Sequence, residues 1–170
     1  MPLETAQLLS TVWWCAEKET AISLEKKGRI YKSISNINHG SAIWARESLE
    51  NYRWLCDLGM AMCKEFEHRR GKKHASEKII AWCARKRAPK GIVSKGITPF
   101  YQAIPEDNLK NTDPVVAYRQ LYVSDFKIRL AEWEAREEPD WYLPMRKEYL
   151  RKKNCEEPPA KKRKGTPPVN

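Results

Sequence analysis

Apolar side chains recur every three to four positions over most of this chain, the spacing of one helix face. Leu8, Leu9, Val12, Trp13 and Ala16 predict a first helix from Leu3 to about Glu25, and a polar connection from Lys26 to Ser41 follows, with a short ordered piece at Arg29 to Ile34. Trp44, Tyr52, Leu55, Met62 and Phe66 form one face of a second helix, and Glu47, Glu50, Arg53, Asp57, Lys64 and Glu67 form the other. Gly71 is its expected stop. Ser76 is placed to cap a shorter helix through Ile79, Ile80, Trp82 and Cys83, which ends in Arg85, Lys86 and Arg87. Pro89, Gly91, Gly96, Pro99 and Pro105 make 88–111 a long irregular loop, a feature more often functional than idle. Asp113-Pro114 is a capping acid followed by a first-turn proline, and it opens a helix carrying Val116, Leu121, Tyr122, Phe126, Leu130 and Trp133 to about Arg136. Pro139 breaks that pattern and leaves Trp141 and Tyr142 as the aromatic pair expected to be exposed. No alternation long enough for a sheet strand occurs. The expectation is an all-α compact bundle over 1–150, followed by a disordered basic tail over 151–170.

Charge adds a partner to that picture. The 170 residues hold 32 Lys and Arg against 22 Asp and Glu, a formal net charge of +10. Between 69 and 95, ten bases face one acid, Glu77, and the last twenty residues add seven bases against two acids. Such concentration favours an anionic partner, nucleic acid or an acidic membrane surface. A basic helix end can equally be a solvated terminus of a core helix. The longest apolar run, Val12 to Ala16, is far below the 18 or so residues of a membrane span, and the polar, helix-like opening is no signal peptide. The five cysteines, Cys15, Cys56, Cys63, Cys83 and Cys155, are scattered and odd in number, and four lie in helical patterns, as reduced thiols of an intracellular protein would. Three His without paired ligand spacing argue against a metal site. No phosphate-cradling Gly-rich loop is present, which argues against a nucleotide-driven reaction and against a cofactor. Seven Trp and seven Tyr are large core residues first, although aromatics interleaved with bases also stack on unpaired nucleobases.

Several spaced motifs carry a resemblance. ETAQLLST at Glu4 to Thr11, NH at Asn38-His39, W-x-R-x-S-x-x-N-Y-x-W-L from Trp44 to Leu55 and R-x-G-K-x-H from Arg69 to His74 resemble a family of small phage-encoded proteins. TPF at Thr98 to Phe100, DPVxAYR at Asp113 to Arg119 and W-x-x-R-x-x-P-x-W from Trp133 to Trp141 extend it to residues 3–142. More remotely the pattern is similar to the pyrimidine-dimer DNA glycosylases of the bacteriophage endonuclease V type, through an early Glu, a His-containing helix entry and a late P-x-W-Y.

The resemblance implies a helical fold that grips kinked double-stranded DNA as a monomer and flips out a damaged or modified pyrimidine. An N-terminal amine would attack the sugar carbon and form a Schiff base, with Glu4 handling protons and stabilising the cationic sugar. Arg46, Arg69, Arg70, Lys72, Lys73 and Arg119 would contact phosphate, and His39 and Tyr52 would line the pocket. Arg46 and Asn51 also fit a structural polar pair. Relatives of that type carry a segment ending in a DKHVVKM-like run, and this chain begins at what would be its Met. Leu3 and Gln7 stand where the glycosylases have Arg, and NHGS replaces NHPC at Asn38 to Ser41. Removal of Met1 would expose Pro2, a secondary amine two residues from Glu4, although Pro2 is also a favourable first-turn residue. The alternative expectation is a catalytically inactive viral accessory protein that binds nucleic acid or a host factor through its basic patch. Lys161, Lys162, Arg163 and Lys164 after a Pro pair read as a nuclear localisation signal, or as a nonspecific DNA-binding tail.

Overall fold

A computed structural model describes residues 1–32 and 37–156 and is all-α. Among the described residues there are seven α-helices, two single-turn 3-10 segments and no strand. No helix is long and apolar enough to cross a membrane among those residues. The chain groups into two compact units, Met1–Pro105 and Glu106–Asn170. The expected boundary near residue 150 falls inside a helix, and the division comes at Pro105 instead.

The first unit contains α1 (Pro2–Ala16), α2 (Lys18–Lys26), α3 (Gly40–Glu47), α4 (Leu49–Arg70) and α5 (Glu77–Arg85). α4 is the central element and packs on α1, α3 and α5. The core it shares with them includes Leu9, Val12, Trp13, Tyr52, Leu55, Ile79 and Ile80. Gly59 permits the close crossing: a Cβ there would meet Thr5 Cγ2 at 2.7 Å and Ile80 Cγ2 at 2.9 Å. Trp44, Trp54 and Phe100 form a second aromatic cluster, with Phe100 centroids 5.0 and 4.7 Å from the two indoles. These rings serve packing.

Two of the expected helices are each divided in two. The first breaks at Glu17, whose backbone leaves the helical region at φ −142°. Its carboxylate is engaged by Arg87, the Lys90 amide and the Thr20 hydroxyl. Arg87 and Lys90 are far away in sequence, and no local pattern announces them. The second breaks at Ser48, extended at φ −142° and ψ 158°, whose hydroxyl accepts from the Asn51 amide and caps α4. Gly71 ends α4 as expected, in the left-handed region at φ 62°, with its amide on the Glu67 carbonyl at 2.8 Å.

The second unit holds α6 (Pro114–Val123) and α7 (Tyr142–Glu156), which pack on one another. Asp113 caps α6 through the Val115 amide at 2.8 Å. The helix expected to reach Arg136 stops at Val123, where the Ser124 hydroxyl donates to the Leu121 carbonyl. A 3-10 turn at Ile128–Leu130 follows, and no α-helix resumes before Tyr142. α7 is an unexpected helix. Its charged composition reads as tail, yet it runs through Lys152 to Glu156, so the first residues of the expected tail are helical. The nuclear-signal residues Lys161, Lys162, Arg163 and Lys164 lie outside the described residues, as do 33–34 of the expected ordered piece.

Candidate nucleic-acid interface

Two groups of bases stand at the two ends of α5. The first is built by the C-terminus of α4. His68, Arg69 and Arg70 occupy its last turn, and Lys72 and Lys73 follow the Gly71 reversal. Cations suit this end because the helix macrodipole is negative there. Arg69 Nε donates to Glu65 at 2.7 Å and Lys73 Nζ to Glu77 at 3.4 Å, while both lysines are exposed. The turn itself is anchored from below. His74 Nδ1 accepts from the Ser76 amide at 3.1 Å, and the His74 ring meets Phe66 edge-on at 4.8 Å. Tyr31 and buried Ser76 join their hydroxyls at 3.0 Å. The expected Ser76 cap of α5 is therefore positional only, because its hydroxyl is turned to Tyr31.

The second group was missed as a site by sequence reasoning, although its bases were visible in the charge count. Arg53 on α4 and Lys86 and Arg87 after α5 line a cleft of about 260 Å³, together with Tyr52, Asp57 and Cys83. Arg85 and Lys90 are exposed nearby in sequence. Arg87 is fixed by Glu17, Nη1 to Oε1 at 2.9 Å and Nη2 to Oε2 at 3.2 Å, and its guanidinium lies 5.9 Å from the Trp13 ring centroid. Hydrogen bonds from Arg87 and the Lys90 amide hold the Glu17 carboxyl down at about 2. Trp13 Nε1 donates to the buried Tyr52 hydroxyl at 3.1 Å. Burial pushes the Cys83 thiol up to about 11 and raises Cys56 and Tyr52 further. These groups stay protonated at neutral pH, so the cleft offers no thiolate nucleophile.

The residues singled out for glycosylase chemistry have different surroundings. Pro2 is buried in the first turn of α1. Glu4 is exposed, and its carboxylate accepts from the Met1 amine at 3.1 Å. His39 is exposed at the N-cap of α3, where Nδ1 accepts from the Ser41 amide and the ring meets Tyr101 edge-on at 5.6 Å. Tyr52 lines the α4–α5 cleft, whose walls include none of the other three. Arg46 is half-buried and spends Nη1 on the Ile37 carbonyl at 2.6 Å, which gives it a structural task. Arg119, in the second unit, sits over the Trp141 ring at 5.1 Å. Tyr142 is buried against Trp133 and Trp141, so the expected exposed pair is reduced to a half-buried Trp141.

The irregular loop between the helices is held firmly. Glu50 accepts from the Ser94 hydroxyl at 2.6 Å and from the Lys95 and Gly96 amides at 3.1 and 3.0 Å, which keeps its carboxyl below its ordinary value. Buried Asn51 donates to the Trp44 carbonyl and the Thr98 hydroxyl and accepts from the Thr98 amide. Among the described residues no group of three His, Cys, Asp or Glu is placed to hold a metal ion. Comparison with family models, curated proteins and solved structures gives no match for this chain.

Proposed function

We propose that this chain binds double-stranded DNA through its phosphate backbone, with the C-terminal end of α4 as the principal contact. The observation that carries the reading is the anchored cationic turn: Arg70, Lys72 and Lys73 project from a reversal held by Phe66, His74 and Ser76. A fixed platform loses less conformational entropy on binding than a floppy basic tail would. Met1–Pro105 carries 18 Lys and Arg against 10 Asp and Glu, a net +8 of the whole chain's +10. Each neutralised phosphate steepens the salt dependence of binding by about 0.9 in log–log slope. The Lys72→Gln/Lys73→Gln double variant therefore weakens duplex binding in anisotropy titrations and makes the slope shallower by about 1.8. Wild-type protein that binds no duplex at 50 mM salt, or binds with no salt dependence, refutes the reading.

A second, enzymatic reading has one observation in its favour. The amine of residue 1 lies within hydrogen-bonding distance of an exposed carboxylate, Glu4, a pairing suited to Schiff-base chemistry at a sugar carbon. The burial of Pro2 and the absence of Glu4 from the cleft that Tyr52 lines weigh against it. Borohydride trapping on a duplex with one abasic site decides between the two. A covalent adduct lost in Glu4→Gln supports a glycosylase or lyase; salt-sensitive binding without an adduct leaves the binding protein.

A further inference from the structure

We infer that the cleft between α4 and the C-terminal end of α5 is a second phosphate-binding site, acting on the same duplex as the α4 terminus. The inference rests on the DNA-binding reading above and adds to it a subsite that the fold alone creates. Its bases come from separate stretches of sequence: Arg53 from α4, and Lys86 and Arg87 from the segment after α5. These three cations share the cleft with one carboxylate, Asp57, and Arg85 and Lys90 are exposed on the same short stretch of chain. Glu17 is not a free competitor for a ligand. It is spent on Arg87 and on the Lys90 amide, and in this way it fixes the backbone that carries the neighbouring bases. Arg53 and Lys86 are exposed at the rim, positioned to offer N–H donors to phosphate oxygens.

The two groups lie toward opposite ends of α4. Arg53 and Arg70 are 17 residues apart on that one helix, about 25 Å at 1.5 Å per residue. B-form DNA carries one charge per about 1.7 Å of its axis, so a single duplex offers phosphates over a span of that length.

The test is the salt dependence of duplex binding by Arg53→Gln/Lys86→Gln in the full chain, with Lys26→Gln/Lys27→Gln as a control that removes equal charge at the far end of α2. Both pairs are exposed, so folding is preserved, which circular dichroism checks. The slope is expected to become shallower by about 1.8 in the cleft variant and to stay unchanged in the control. A cleft variant with the wild-type slope, or a control with the same loss, overturns the inference. A wild-type protein without salt-sensitive duplex binding removes the parent reading instead. Titration with inorganic phosphate then decides the cleft by amide chemical shifts. Changes confined to 52–57 and 83–88 support a free-phosphate site, and their absence overturns it.

Discussion

Asn51 is fully buried and spends its amide on three hydrogen bonds, to the Trp44 carbonyl at 2.8 Å, the Thr98 hydroxyl at 2.7 Å and the Thr98 amide at 3.0 Å. Asn51→Ala strands a buried carbonyl and amide, each costing about 1–3 kcal/mol. We expect a loss of about 2–3 kcal/mol in urea unfolding and faster amide exchange at Thr98. Glu17 gives the pH counterpart. Its folded value of about 2 lies below the ordinary 4.5, so its contribution is complete above pH 4.5 and is lost as pH falls from 4.5 toward 2. Urea midpoints measured across that window should converge between wild type and Glu17→Gln, after differing at pH 6. The motif around Asn51 was readable as a structural polar pair with Arg46, but its true partners were not. Arg46 bonds Ile37, and Asn51 bonds a residue 47 positions away.

Elements were legible where their signals are local. Gly71 as a stop, Asp113-Pro114 as a start and the apolar stripe of α4 all depend on residues within one or two turns. The breaks at Glu17 and Ser48 were not legible, because the helical period runs through both. α7 was missed for the opposite reason: a charged surface helix has no apolar stripe to show, and its packing on α6 supplies what the sequence lacks. The crossing of α1, α4 and α5 at Gly59 carries a prediction. Alanine there gains about 1 kcal/mol in helix propensity but places a methyl 2.7 Å from Thr5 and 2.9 Å from Ile80. Overpacking costs about 1–3 kcal/mol, so Gly59→Ala is expected to lower stability by about 1 kcal/mol and Gly59→Val by more, read from thermal unfolding.

At the scale of the molecule, charge and core are divided unequally. Met1–Pro105 holds the aromatic core, both basic groups and a net +8; the remaining residues carry 14 bases against 12 acids, a net +2. The expectation is that residues 1–105 expressed alone give a cooperatively unfolding helical protein that keeps salt-sensitive duplex binding. A fragment that folds but binds no duplex would move the interface to the second unit, where Arg119 lies over Trp141.

The sequence by itself determined the helical class, the concentration of positive charge and the cationic end of α4, because periodicity, charge counts and caps are local properties of the chain. The resemblance to the glycosylases pointed to Pro2, Glu4, His39 and Tyr52, and the surroundings of each are set by the tertiary structure. It places Pro2 in a buried first turn, pairs exposed Glu4 with the Met1 amine, gives His39 the N-cap of α3 and sets Tyr52 under the α4–α5 cleft. Only folding could bring Arg53 beside Lys86 and pin Arg87 to Glu17 across 70 positions of sequence. Which side chains share a cavity depends on helix register and long-range hydrogen bonds, and neither has a signature in any short window of residues.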